Sequence, residues 1–270
     1  MNNRPIGLYD SGVGGLSVLK EIARTLPHES IIYLADSARV PYGKRKQEEI
    51  IQYNQEVIEF LIAQRVKVIL AACNTSSAIA LPYLQEKYSI PIIGLIEHGA
   101  QMAAKSRRIG VIATEGTVKS KAYSMALEAL NPGADVFEQA CPILVPVVEM
   151  GVINNRWTNW LVYQSLLGLL DKNLDSLILG CTHFPHLSSI IQEIIGDNVK
   201  LLDPAKEVSG ALASFLERND LLSRNNFLEF KFFTTGSPEH FSKVARIILP
   251  ERSCRALPVR LDLVVRAASA

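Results

Sequence analysis

The sequence lacks the marks of several protein classes. None of its apolar runs approaches the roughly 18 residues of a membrane-spanning helix, and Asp10 interrupts the N-terminal apolar stretch before a secretory signal can form. No membrane is expected as a partner, and the expected address is the cytoplasm. Cysteine is sparse: Cys73, Cys141, Cys181 and Cys254 are widely spaced, with no Cys-x-x-Cys pair. That argues against a disulfide scaffold or a structural zinc ribbon and for free thiols in a reducing compartment. A charge excess is missing too, since 28 Lys and Arg stand against 27 Asp and Glu for a net charge of +1. The bulk field therefore recommends neither nucleic acid nor an anionic surface. Low-complexity segments and short-period repeats are also absent.

What is present is ordinary core material, 48% hydrophobic and 20% charged over 270 residues, enough for two domains of roughly 100 to 200 residues each. The most informative stretch is Val68-Ile-Leu-Ala-Ala-Cys73-Asn74-Thr75-Ser-Ser-Ala78. It reads as a strand buried on both faces that empties into polar side chains, with Thr75, Ser76 and Ser77 capping a helix that runs on through Ala80 and Leu84. Ligands of open α/β sheets bind just past such strand ends. The pattern returns as Leu177-Ile-Leu-Gly-Cys181-Thr182-His183, so two thiols follow equivalent strands.

Around these segments strands and helices alternate. Pro5 to Tyr9 is a strand leading into Asp10-Ser11-Gly12-Val13-Gly14-Gly15, after which Leu16, Leu19, Ala23 and Leu26 recur at helical spacing. The glycines serve either a tight turn alone or the presentation of backbone N–H groups to an anion, and an ionisable Asp10 at the strand's end favours the second. A nucleotide is disfavoured, because Ser17 stands at the third glycine of G-x-G-x-x-G and no G-K-[ST] follows. Ser30 to Leu34 is the next strand. The polar loop after it carries Asp36, Arg39, Pro41-Tyr42-Gly43, Lys44 and Arg45, charges that serve either solvation or a ligand. A helix over 47–64, the Val68–Ala72 strand and a strand at Ile90–Gly94 complete a first unit. In the second, strands at Ile109–Ala113, Asp135–Ala140, before Cys181 and at Lys200–Leu202 alternate with helices over 119–130, 157–171, after Pro185 and over 205–217. Cys141 to Gly151 reads as a proline-interrupted loop whose only charge is Glu149. A strand at Phe230–Thr234 and a helix at Pro238–Ile248 return to the first unit. The expected fold is α/β, with two mainly parallel sheets covered by helices and a site in the cleft between them. The expected division is 1–95 plus 208–270 against 96–207.

Three chemistries suit the paired thiols. Nucleophilic catalysis by Cys73 or Cys181 with His183 as base needs one thiol only. Metal binding by Cys181-x-His183-x-x-His186 lacks an established spacing and a fourth ligand. Proton transfer at opposite faces of one carbon, one group thiolate and the other thiol, uses both. A binding module that clamps a small dicarboxylate is the rival outside enzymes, and it needs no thiols.

Gly7-Leu-Tyr-Asp10-Ser11-Gly12-Val-Gly14-Gly15, Val40-Pro41-Tyr42-Gly43, Ala72-Cys73-Asn74-Thr75 and Leu179-Gly180-Cys181-Thr182-His183 closely resemble the glutamate racemases. Gly116-Thr117-Val-Lys-Ser-Lys-Ala-Tyr123, Val145-Pro-Val-Val-Glu149 and Phe233-Thr-Thr-Gly236 extend the resemblance along nearly the whole chain, in the family's order. Phe184, His98 and Met150 depart from it, where tyrosine, proline and a second glutamate are usual. The resemblance implies two α/β domains related by a pseudo-twofold axis, a homodimer, and a cofactor-independent, metal-free enzyme that interconverts L- and D-glutamate for peptidoglycan. It makes Cys73 and Cys181 the acid/base pair, assisted by Asp10 and His183, with Glu149 near His183 or the substrate ammonium. Asp10, Ser11, Pro41, Tyr42, Gly43, Cys73, Asn74, Thr75, Thr117, Cys181 and Thr182 then form the substrate-binding set. Such chemistry is expected to lower a thiol pKa modestly through hydroxyl or backbone donors, because full depression would sacrifice basicity. Aspartate is the rival substrate, since one methylene is worth only about 1 to 3 kcal/mol.

Overall fold

Two runs of five fully buried residues, Ile6–Asp10 (β1) and Ile31–Ala35 (β2), lie side by side in parallel, with Asp10 opposite Ala35. Apolar side chains on both faces explain why these strands do not alternate. The structure, a computed structural model, describes residues 2–223 and 228–261. Val68–Ala71 (β3) pairs with the other side of β1, and Ile92–Ile93 (β4) flanks it. Phe230–Thr234 (β9) and Ala256–Pro258 (β10) add beyond β2, giving the order β10-β9-β2-β1-β3-β4. The second sheet runs β6-β5-β7-β8, from Asp135–Ala140, Arg108–Ala113, Ser176–Gly180 and Lys200–Leu202 respectively. All recorded pairings are parallel.

The sheets repeat one topology, because β2-β1-β3-β4 corresponds strand for strand to β6-β5-β7-β8. In each, the chain leaves a central strand to one side and then returns to the other. The crevices at β1/β3 and β5/β7 are the switch points where such sheets bind ligands.

The helices are Leu16–Thr25 (α1), Gln47–Ala63 (α2), Asn74–Ile79 (α3), Leu81–Lys87 (α4), Ile96–Ala103 (α5), Glu115–Ser120 (α6) and Ala122–Leu130 (α7). They continue with Leu144–Glu149 (α8), Arg156–Leu166 (α9), Ser188–Ile195 (α10), Pro204–Arg218 (α11) and Pro238–Ile248 (α12). Several differ from the sequence-based expectation. The Cys141–Gly151 loop contains α8, since Pro146 falls in the first turn, where an N–H has no intrahelical partner to lose. The helix expected over 119–130 starts earlier and breaks at Lys121, whose φ of 59° is left-handed. Helix α9 gives way at Leu167 to a 3₁₀ turn rather than reaching Asp171. The expected caps Thr75, Ser76 and Ser77 lie inside α3: the N-cap is Cys73, and the helix is broken at Ala80. The division expected at 207/208 falls within α11, which packs against both α1 and α5.

One buried ion pair ties the base of the first sheet. Lys67 Nζ meets Glu29 Oε2 at 2.5 Å and donates to the carbonyls of Asn2 and Leu221, while Glu29 Oε1 accepts the Ser223 N–H at 2.8 Å. Both side chains are buried. Glu29→Ala leaves the ammonium buried without its counter-ion, so it should cost about 3 kcal/mol or more, read as a lower urea midpoint.

Candidate active site

At the end of β1 the chain turns through Ser11 to Gly15. Tyr33 on β2 donates to the Gly12 carbonyl at 2.8 Å, and the Gly15 N–H donates to Asp10 Oδ2 at 2.9 Å. The Thr182 hydroxyl, from the opposite lobe, reaches the same oxygen at 3.3 Å. Oδ1 has no partner although it is buried. Burial raises the Asp10 pKa above the ordinary carboxylate value, against the opposing pull of His183 and the Gly15 N–H.

Cys73 follows β3, adjacent to β1, and its Sγ lies 4.0 Å from Ser11 Oγ. Burial, reinforced by the Asp10 charge, pushes this thiol up to about 12. The modest lowering expected from sequence is thus reversed for Cys73 in this closed site: loss of water outweighs the nearby donors.

Cys181 follows β7 in the other lobe. Its Sγ is 3.5 Å from His183 Nδ1, and His183 Nε2 lies 2.6 Å from Glu149 Oε1. The carboxylate accepts, so Nε2 carries a proton and Nδ1 faces the thiol as acceptor in the neutral ring or donor in the cation. Burial lowers the His183 pKa, but Cys181 and Glu149 together more than offset it and hold the ring well above its ordinary value. Glu149, at the end of α8, also accepts the Val13 N–H at 2.9 Å. One carboxylate thereby joins the glycine turn of the first lobe to the histidine of the second.

Between the thiols the polar set converges. Thr75 at the start of α3 shares hydroxyl contacts with Thr114 (2.8 Å) and Thr117 (3.3 Å), and those two are 3.0 Å apart. Asn74 Oδ1 accepts the Tyr123 hydroxyl at 2.7 Å, which fixes the orientation of its amide. Tyr42 is held from behind: its hydroxyl donates to Asp36 Oδ2, which also takes Arg39 Nε at 2.7 Å, and Thr235 donates to Oδ1 at 2.7 Å. Asp36 and Arg39 are therefore internal scaffolding for the Pro41–Gly43 segment rather than surface charge. His186 lies 3.4 Å from the Gly14 carbonyl, and its pKa is lowered by burial to about 4.

The cavity these groups enclose is lined by every residue expected to bind or react except Thr117, which stands behind Thr114, and Glu149, which stands behind His183. Thr114 and Val145 line it without having been anticipated. Thr114 directly follows β5, as Cys73 and Cys181 follow their strands, and that position is the signal that could have found it. The free space is about 10 Å³, near the lower limit for a single water, so this arrangement of the lobes is a closed one with no room for an amino acid. A larger hollow of about 550 Å³ between α4, α5, α7 and α11 contains neither thiol. No group of three or more His, Cys, Asp or Glu side chains among the described residues is arranged to hold a metal ion.

The same arrangement of lobes occurs in solved structures. A glutamate racemase isoform from Bacillus anthracis superimposes with a TM-score of 0.93 at 40% identity, covering 97% of this chain and 99% of that one. The glutamate racemase of Francisella tularensis in complex with D-glutamate gives 0.91 at 37% identity, covering 97% and 100%. In sequence, the glutamate racemase of Rippkaea orientalis is 44% identical over 91% of this chain and 88% of its own length. The Asp/Glu/Hydantoin racemase family model matches residues 8–209, a span that holds both thiols, Asp10, Glu149 and His183. The chain belongs to that family of racemases.

Proposed function

We propose that this enzyme interconverts L- and D-glutamate without metal or pyridoxal phosphate, using Cys73 and Cys181 as the two proton-transferring groups. The observation that carries the reading is the pair of thiols after equivalent strands β3 and β7, facing one cavity with different partners: Asp10 beside Cys73, His183 and Glu149 beside Cys181. In each turnover one sulfur, as thiolate, takes the Cα proton. The electron pair passes into the α-carboxylate, and the other sulfur, as thiol, delivers its proton to the opposite face. The enzyme is left with the two sulfurs in exchanged protonation states, which must be reset through solvent. His183 Nδ1 carries a proton to and from Cys181, and Asp10 does so for Cys73.

No cofactor spreads the carbanion's charge in this scheme, so fixed donors must. The hydroxyls of Thr75, Thr114 and Thr182, the Asn74 amide and the backbone at Tyr42–Gly43 would hold the two carboxylates in a closed, water-poor cleft, with Thr117 orienting the Thr114 hydroxyl from behind. The reading extends to a homodimer in the cytoplasm that supplies D-glutamate for peptidoglycan. No helix of the described residues is long and apolar enough to cross a membrane.

The test is polarimetry with L-glutamate and, separately, L-aspartate, with chelator present and no cofactor added. Loss of optical rotation with glutamate, undiminished by the chelator, is expected. Activity lost on chelation and restored by zinc would instead favour a Cys181–His183–His186 site, and faster loss with aspartate would reassign the substrate.

A further inference from the structure

Ser76 has no role in the chemistry above, yet its setting is costly. It stands three residues after Cys73 inside α3, is 0% exposed, and its Oγ has no hydrogen-bond partner. A buried hydroxyl left unpaired lowers stability. The hydroxyls on either side are satisfied: Ser77 donates to the Ala71 carbonyl and accepts the Leu95 N–H, both at 3.1 Å, and Thr75 belongs to the threonine cluster.

The groups near Ser76 explain the vacancy. Ser76 is the third helical residue after the N-cap Cys73, so the two side chains share one side of the first turn of α3, and its hydroxyl bears on the ionisation of both the Cys73 thiol and the Tyr9 phenol. Tyr9 has committed its proton to Asn54 Oδ1 at 2.6 Å. A neutral thiol is a weak acceptor, whereas a thiolate is a full charge and makes a bond about twice as strong as a neutral one. The other titratable groups that bear on Cys73 are Asp10 and Tyr9 on β1, Tyr33 on β2, Tyr42 in the turn beyond it and Cys181 across the cleft. Asp10 and burial oppose ionisation, and the hydroxyl and N–H of Ser76 favour it.

We propose that Ser76 is a positioning residue for Cys73: its hydroxyl stays unpaired beside the neutral thiol and turns onto the sulfur when the thiolate forms. The inference rests on the reading in which Cys73 alternates between thiol and thiolate. It places stabilisation where charge develops during the reaction rather than in the resting state.

The experiment compares full-length wild type, Ser76→Ala and Ser76→Thr. Iodoacetamide alkylation of Cys73 and Cys181 is followed by peptide mass spectrometry from about pH 7 to about pH 11, where the rate at Cys73 reports its small thiolate fraction because burial pushes that thiol up to about 12, and thermal midpoints are recorded. Ser76→Ala should slow alkylation at Cys73 about tenfold below its midpoint, leave Cys181 unchanged, and leave the thermal midpoint equal or higher because an orphan hydroxyl is gone. Lobe opening affects both thiols, so Cys181 is the internal control. Ser76→Thr keeps the hydroxyl and should keep the Cys73 profile; if its extra methyl prevents folding, the alanine variant decides alone. An unmoved Cys73 profile, a parallel shift at both thiols, or a folded threonine variant as slow as alanine would overturn the proposal. Alkylation needs no turnover, so failure of the racemase reading shows separately, as absent racemisation with the Cys73 shift intact.

Discussion

Cys73→Ala and Cys181→Ala are each expected to abolish racemisation, with losses of about 10⁴-fold, while Cys141→Ala and Cys254→Ala retain activity. All four thiols are free and buried, so burial does not separate them. Position and partners do. Cys141 is also pushed up to about 12, and its S–H is directed at the Ser165 carbonyl at 3.4 Å; Cys254, pushed up to about 11, faces the Arg252 carbonyl at 3.6 Å. Neither lines the cavity. A raised thiol pKa is therefore no mark of catalysis here, whereas adjacency to Asp10 or His183 is. Removing one sulfur costs only about 1 kcal/mol of stability, typical of a single substitution, so every variant should fold. Steady-state rates from both enantiomers with circular dichroism check this, and near-native turnover by Cys181→Ala would exclude a two-thiol mechanism.

Gly14→Ala should be the next most damaging change, although it removes no functional group. A Cβ at Gly14 would lie 2.6 Å from His183 Nδ1 and 2.7 Å from Thr182 Oγ1, distances at which something must move. His183 cannot yield cheaply, because it is buried and its far nitrogen is fixed at 2.6 Å by Glu149. Glu149 in turn fills the space beside Gly12, where a Cβ would come within 1.9 Å of Oε1. The strain is relieved by parting the lobes or rotating the imidazole away from Cys181. A displacement of about 1 Å in catalytic geometry costs about 10²-fold. The expected result is a fall of that size in kcat with the fold intact. A Gly14→Ala enzyme of wild-type kcat would show that the contact of the glycine turn with His183 is not required.

Much of this architecture was legible in local sequence, and the exceptions share a cause. Helix α12 was readable end to end because Ser237 caps it, accepting the His240 N–H, and Pro238 occupies the first turn. The buried strands β1, β3 and β7 were readable as apolar runs. Helix α8 was hidden because prolines 142 and 146 signal a break while Pro146 sits where a helix tolerates it. The left-handed Lys121 and the three-residue β10 leave no compositional trace, since packing rather than propensity imposes them. At the site, chemical groups followed from sequence and their states did not. The upward push on Cys73, the Val13 N–H on Glu149 and the contact between Thr75 and Thr114 all arise where the two lobes meet, between residues far apart in the chain.

The central claim is that two opposed thiols share the reaction, and isotope exchange in D2O tests it most directly. If one sulfur removes the Cα proton while the other delivers its own, product hydrogen comes from a group equilibrated with solvent. At a few per cent conversion of L-glutamate, D-glutamate should carry deuterium at Cα while the recovered L-glutamate remains protiated, as measured by mass spectrometry after chiral separation. Mostly protiated D-glutamate would mean that one group takes and returns the same hydrogen, and would contradict the assignment of Cys73 and Cys181 to opposite faces.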